Sequence, residues 1–259
     1  MMGAVLFSTM LLQMKQSFAR PMFRFCLIAN PILNTILLYE MYRNSETQNF
    51  LAYVVLGAGL MGVWSCICFS SAGDINRERF SGTLALIFGA PAGFSIIILG
   101  KIIGNTILSM VSVGISLVTA TILYRVPLYL ESPLHFFVAL LGTILTFVVV
   151  SSVIACLLTL SRKTTLYMNC IEIPIILVCG FVYPIETLPV WLRQISYILS
   201  PSWAVKLLRM SVWGVEDGIM YWKDIAILLL LTGIYAVFSI VLFRCIDKQV
   251  RIKASLEVS

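Results

Sequence analysis

Few residues in this chain could carry out bond chemistry. His135 is the only histidine, so a metal site built on neighbouring histidines is out of reach. The seven cysteines, at 26, 66, 68, 156, 170, 179 and 245, form no C-x-x-C pair and sit almost entirely in apolar runs. That spacing argues against a metal or disulfide framework and for small packing groups. No G-x-x-x-x-G-K-S/T loop is present to cradle nucleotide phosphates, and neither H-E-x-x-H nor G-x-S-x-G occurs. Energised work would therefore need another polypeptide to supply the energy. Recognition chemistry is concentrated in two places. The first is the stretch from Asp74 to Pro91, where Arg77, Glu78 and Arg79 form a charged knot ahead of Ser81, Gly82, Thr83 and Leu84. The second is a set of polar residues inside apolar runs: Asn30 and Asn34 one turn apart around Pro31, and Asn169 with Glu172 on one helical face.

The elements that position these residues are set by composition. The chain has 259 residues, of which 60% are hydrophobic and 12% charged. A soluble domain has about a quarter of its residues charged. The apolar excess is gathered into runs close to the roughly 20 residues that cross a bilayer core as a helix. Six spans are expected, at about 22–41, 50–72, 95–123, 134–160, 166–184 and 221–243. The fold class is therefore an all-α membrane protein. Ahead of the spans, residues 1–21 read as a helix lying in the membrane interface. There Thr9, Gln13, Gln16 and Arg20 recur opposite Phe7, Leu11, Met14 and Phe18. A secretory signal would want a basic start and a small-residue cleavage site, and neither is present.

Charge gives the expected topology. With the N-terminus inside, Lys and Arg beside the spans divide twelve inside to six outside, which favours both termini in the cytoplasm. The net charge of +6 is thereby explained by topology and implies no nucleic acid. Two connections are long. Residues 73–95 join spans two and three inside, residues 185–220 join spans five and six outside, and residues 244–259 form a cytoplasmic tail. Within the third span, Gly100 and Gly104, continued by Ser112, Ser116 and Ala120, let helix backbones approach closely. This stripe reads as packing within the bundle rather than between subunits.

Physically, the inner connection is a short helix with a charged start, held at the membrane surface. It is shaped to dock into a groove of a cytoplasmic partner, or it is a solvated connector whose basic residues hold the topology. In the outer connection Leu188, Trp191, Leu192, Ile195 and Leu199 share one helical face, with Arg193, Gln194 and Ser196 on the other. Pro184, Pro189 and Pro201 punctuate it so that the chain can dip into the membrane and return. A charged side chain at membrane depth costs about 2.5–3.5 kcal/mol on insertion scales, so Glu172 is expected to face a bundle interior or a wet cavity. Interhelical hydrogen bonds that only fix packing are the other reading of these polar residues.

The run R-E-R-x-x-G-T-L, Arg77 to Leu84 and then Pro91, resembles the cytoplasmic signature of ABC-2 type permeases. Ala85 departs from the acid that often follows it there. The outer run from Phe181 through Tyr183, Pro184, Leu188, Pro189, Trp191, Leu192 and Pro201 to Leu208 and Arg209 is similar to that family's aromatic-proline turn, L-P-x-W-L helix and second helix. The resemblance covers nearly the whole chain as a single transmembrane domain. It implies an elbow helix at 1–21, a coupling helix in 73–95 that contacts an ATP-binding subunit, and a re-entrant hairpin in 185–220 that forms an extracellular gate.

It further implies that spans one, two and five line the subunit interface and the cargo route, which would place Asn30, Asn34, Asn169 and Glu172 on that route. The expected function is the permease subunit of an ATP-driven exporter in the inner membrane. It would pair with a second permease subunit and with ABC ATP-binding subunits that carry Mg-ATP, holding no cofactor and catalysing no reaction itself. The cargo would be amphiphilic: a drug, a peptide or a lipid-like molecule. A non-pumping scaffold or peptide-binding immunity subunit is the rival, and a lipid-modifying enzyme is disfavoured by the lone histidine and scattered acids.

Overall fold

The computed structural model of the chain describes residues 2–43, 50–83, 87, 93–124, 131–160, 164–215 and 217–253. Of the residues singled out above, Leu84, Ala85 and Pro91 lie outside it, as does the side chain of Arg79. Among the described residues every regular element is helical. The chain opens with α1 (Met2–Ala19) and breaks at Arg20, whose extended backbone (φ −81°, ψ 126°) feeds the short α2 (Pro21–Arg24). A π-helical turn, Phe25–Ala29, then leads into α3 (Asn30–Tyr42). Pro31 accounts for the widened turn. It has no N–H, and its ring crowds the carbonyl four residues back. That carbonyl, on Leu27, is satisfied from another helix by the Ser112 hydroxyl at 3.2 Å.

The second apolar run forms α4 (Phe50–Phe80), and the third forms α5 (Phe94–Ser109) and α6 (Val111–Tyr124), interrupted at Met110. They are followed by α7 (Pro133–Leu160) and α8 (Thr164–Val178). Next come α9 (Val190–Ile198), α10 (Ser200–Trp213) and α11 (Gly218–Lys253). Five stretches are long and apolar enough to cross a membrane: Pro21–Tyr42, Tyr53–Ser70, Phe94–Tyr124, Pro133–Thr159 and Gly218–Ile246. The chain is a multi-pass membrane protein. The run expected as a span over 166–184 is a shorter apolar helix, Leu166–Val178. Gly180, with φ of +73°, takes the left-handed conformation that closes a helix, and the backbone turns away over 179–184.

Helix α4 is the centre of the bundle. Its span window is 83% buried, against 17–44% for the other four, and α3, α5, α6, α7, α8 and α10 all pack on it. Trp64 lies fully buried on it, in contact range of the Phe147 and Phe181 rings. The seams between helices are closed by small residues and hydroxyls. Ser116 of α6 meets Thr35 of α3 at 2.8 Å and donates to the Val55 carbonyl of α4 at 2.9 Å. Between α7 and α11, Thr146 meets Thr232 at 3.0 Å and Ser152 meets Ser239 at 2.6 Å. Such pairs join helices where burying apolar surface supplies little force, because the surrounding lipid is as apolar as the core.

Candidate functional site

Helix α4 carries a polar ladder beyond its apolar window. From Ser70 to Phe80 it projects about 15 Å further. Asp74 and Glu78, one turn apart on this projection, face Asn105 and Lys101 of α5. The Arg20 guanidinium forms an ion pair with Asp74, and the same carboxylate accepts from Gln13 Nε2 at 2.5 Å and from Asn105 Nδ2 at 3.0 Å. Ser17 Oγ donates to Asn105 Oδ1 at 2.6 Å. One turn along, Glu78 forms an ion pair with Lys101 and accepts from the Thr83 hydroxyl. Burial alone would raise the Glu78 carboxyl, but the Lys101 and Thr83 hydrogen bonds, with the charges of Lys101 and Arg20, hold it below its ordinary value.

The ladder clamps α1 to the bundle. Gln13 and Ser17 of α1 are buried, whereas Phe7, Leu11 and Phe18 point outward. An amphipathic helix against a membrane-embedded bundle turns its polar stripe inward, where partners exist, and leaves its apolar stripe to lipid. Gly100 and Gly104 of α5 seat α1. A Cβ on Gly104 would stand 2.6 Å from the Met10 carbonyl, and one on Gly100 would collide with the Thr9 hydroxyl. The small-residue stripe is thus a seam within the chain, continued by Ser112 and Ser116 against α3 and α4. The carboxylate of Glu78 is occupied internally. The outward side of the segment carries Arg77, Phe80, Ser81 and Gly82, with Phe80 84% exposed.

The opposite end of α4 meets the turn after α8. Phe181 is fully buried, and its carbonyl accepts from Arg209 Nη2 of α10 at 2.9 Å. Gly57 allows that carbonyl in, since a Cβ there would lie 2.5 Å from it. The Arg209 guanidinium lies 4.2 Å over the Tyr53 ring, and Tyr42 donates to the Val182 carbonyl at 2.8 Å. Burial pushes the Arg209 guanidinium down to about 10, which leaves it charged at neutral pH. Tyr183 and Pro184 are half-buried in this turn, Leu188 is buried beyond it, and Pro189 and Pro201 stand at the starts of α9 and α10.

The apolar face expected for α9 is split. Leu188 is buried and Leu192 and Leu199 half-buried, but Trp191 is 64% exposed and Ile195 is exposed beside Val190 and Ile198. The buried residue is Ser196, whose hydroxyl donates to the Val178 carbonyl. Apolar patterning does not set the rotation of a helix whose surroundings are themselves apolar; the hydrogen-bonding group does. Arg209, read from sequence only as a topological charge and a motif end, anchors this region. An arginine set between Leu207, Leu208 and Met210 in the hairpin's second helix was the available signal.

Between the two ends, Asn34 Nδ2 donates to Asn30 Oδ1 at 2.8 Å on α3, and both are half-buried. Glu172 of α8 accepts from Ser65 Oγ of α4 at 2.6 Å, while Asn169 is exposed. Helices α3 and α8 both pack on α4, yet no hydrogen bond joins the two polar pairs among the described residues.

A family model described as ABC-2 type transporter matches residues 5–213, which contain all three of these regions. The chain belongs to the ABC-2 type transporter family. No curated protein matches it. ABC-2 permeases are typically the non-catalytic membrane subunits of ABC transporters and generally work with ATP-binding subunits. The match runs from α1 to the last residue of α10, so the N-terminal helix clamped by the ladder and the hairpin anchored by Arg209 both fall within the ABC-2 region.

Proposed function

We propose that the chain is the permease subunit of an ATP-driven exporter, with six crossings and both termini in the cytoplasm of the inner membrane. The sixth crossing is α8 together with the turn after it. Two such chains, identical or related, pair and sit on two ATP-binding subunits that hold Mg-ATP. The observation that carries the reading is the division of labour after α4. One side of this segment is braced to α1 and α5 by two ion pairs, and the other presents Arg77, Phe80, Ser81 and Gly82 outward. An aromatic this exposed, about 15 Å beyond an apolar window, suits a socket on a partner. Load applied at this side would pass through the brace into α5 and α4, and along α4 to the hairpin gate. The gate residues are Phe181, Tyr183, Pro184, Leu188, Pro189, Trp191, Leu192 and Pro201.

The lateral face of α8 supports pairing. Helix α8 rests on α4 while Asn169 and Cys170 are exposed, and a polar face turned to lipid is costly. A second permease subunit over this face would enclose Asn30, Asn34, Asn169 and Glu172 along a route for an amphiphilic drug, peptide or lipid-like cargo.

The test is co-purification with genomically neighbouring proteins, assayed for ATPase activity, for wild type and for Arg77→Glu with Phe80→Ala. The expected result is a co-eluting ATPase that the double variant releases or uncouples while the membrane protein stays folded. A folded chain with no nucleotide-binding partner would sink the proposal and favour a scaffold or immunity role.

A further inference from the structure

We propose that Glu172 selects for cargo carrying a positive charge, so that the exported amphiphile is a lipophilic cation. This rests on the permease reading above. Among the described residues, the other acids withdrawn from solvent are matched. Asp74 has Arg20, Glu78 has Lys101, and Asp224 has Lys206 at 2.7 Å. Glu172 is different. It lies within the apolar helix Leu166–Val178 and is half-buried, and no cationic side chain pairs with it among the described residues. Its one hydrogen bond there comes from Ser65 Oγ at 2.6 Å.

A carboxylate offers about four lone-pair sites, so a single hydroxyl leaves most of its acceptor capacity unused. The hydroxyl does not replace a counter-ion. The site is also open. Asn169, one turn earlier on the same face, is exposed, as are Ile173 and Pro174, while α8 contacts the bundle through α4. An acid held at membrane depth, laterally accessible and without a cationic partner among the described residues attracts a cation with an apolar body. The same field disfavours an anion of equal size and shape. Asn169 adds an amide that can orient a polar group on the bound molecule.

Two probes isolate charge from shape: tetraphenylphosphonium and tetraphenylborate, which are nearly the same size with opposite charge. Binding is measured on the purified full chain in phosphatidylcholine nanodiscs, with empty nanodiscs subtracted for partitioning into lipid. Wild type is expected to retain the phosphonium above the blank. Glu172→Gln, which keeps the shape and the Ser65 hydrogen bond, is expected to weaken that retention at least tenfold, and Glu172→Asp to recover part of it. Borate retention is expected to stay at the empty-nanodisc blank in wild type and not to fall in Glu172→Gln. Unchanged melting of the Gln variant excludes misfolding as the cause. Absence of phosphonium retention by wild type, or equal retention by Glu172→Gln, overturns the inference. The permease reading is judged separately by ATPase co-purification: a Glu172-dependent cation site on a chain with no ATPase partner would leave the site standing and remove the pump.

Discussion

Removing the two partners of the Arg20–Asp74 pair should not cost the same. Asp74 holds three donors: the Arg20 guanidinium, Gln13 Nε2 at 2.5 Å and Asn105 Nδ2 at 3.0 Å. In Arg20→Met the carboxylate keeps both amide donors, each worth about 1.5–3 kcal/mol to a charged acceptor, so the loss should be about 2 kcal/mol. In Asp74→Leu the guanidinium, whose side chain is 14% exposed, is left without a counter-charge, and the Asn105 amide loses its acceptor while Gln13 Nε2 keeps Ser17 Oγ at 2.9 Å. Stripping one partner from a buried pair costs about 3–5 kcal/mol, so this case should be the more costly of the two. The double variant removes both charges, so its cost should fall short of the sum by about 0.5–3 kcal/mol. Unfolding in graded detergent denaturant, followed by tryptophan fluorescence, reads all four corners of the cycle. Equal single losses with an additive double would refute the ladder as a paired unit and reduce Arg20 and Asp74 to independent topology markers.

Gly104→Ala should open the α1 seam, because the added Cβ meets the Met10 carbonyl at 2.6 Å and backbone cannot give; about 1–3 kcal/mol of stability should go, with faster proteolysis of α1. Gly114→Ala, which meets nothing, is its control. Arg209→Met should leave the buried Phe181 carbonyl without its donor, costing about 1–3 kcal/mol and raising hydrogen exchange over 179–184; unchanged exchange there would remove Arg209 as the anchor of that turn. The Glu78 carboxyl is held below its ordinary value, so its contribution is complete above the ordinary carboxylate range and is lost as pH falls through the folded value. The melting difference between wild type and Glu78→Gln should therefore stay constant from about pH 8 to 5 and shrink only below about pH 4; collapse already near pH 6 would contradict the bracing of Glu78 by Lys101 and Thr83.

Much of the fold was legible because lipid imposes one-dimensional rules. Span length, apolar runs and the proline and glycine punctuation located nearly every helix, and the Gly100/Gly104 stripe correctly signalled a close helix seam. What the sequence hid was which side of each helix faces in. On α1 the polar stripe faces the bundle, and on α9 the buried residue is Ser196 while Trp191 looks outward. In water, apolar patterning sets rotation; in lipid, the decision passes to whichever polar group finds a partner, and those partners are far apart in sequence. Gln13 finds Asp74, Ser65 finds Glu172, and Arg209 finds the Phe181 carbonyl. The helix after Thr164 ends before the apolar run does, for a different reason. Residues 179–184 are as apolar as a span, but one left-handed glycine at 180 ends the helix.

The same long-range pairs suggest why α4 is the most buried helix. Its far end is gripped by α1 and α5 through Asp74 and Glu78, and its near end by the turn after α8 and by α10, where Gly57 admits the Phe181 carbonyl and Tyr53 lies under Arg209. From Tyr53 to Asp74 is about 32 Å along a helix axis. The helix is continuous over that length and holds no proline to kink it. Small residues bring its neighbours close, Gly59 against the Val113 backbone and Gly62 against the Pro31 and Ser112 side chains. On the permease reading proposed above, a continuous helix gripped at both ends would carry motion between a cytoplasmic partner and an outer gate. On the reading proposed above, Glu172, beside the helix rather than at either grip and without a cationic partner among the described residues, is the acid left to meet cargo.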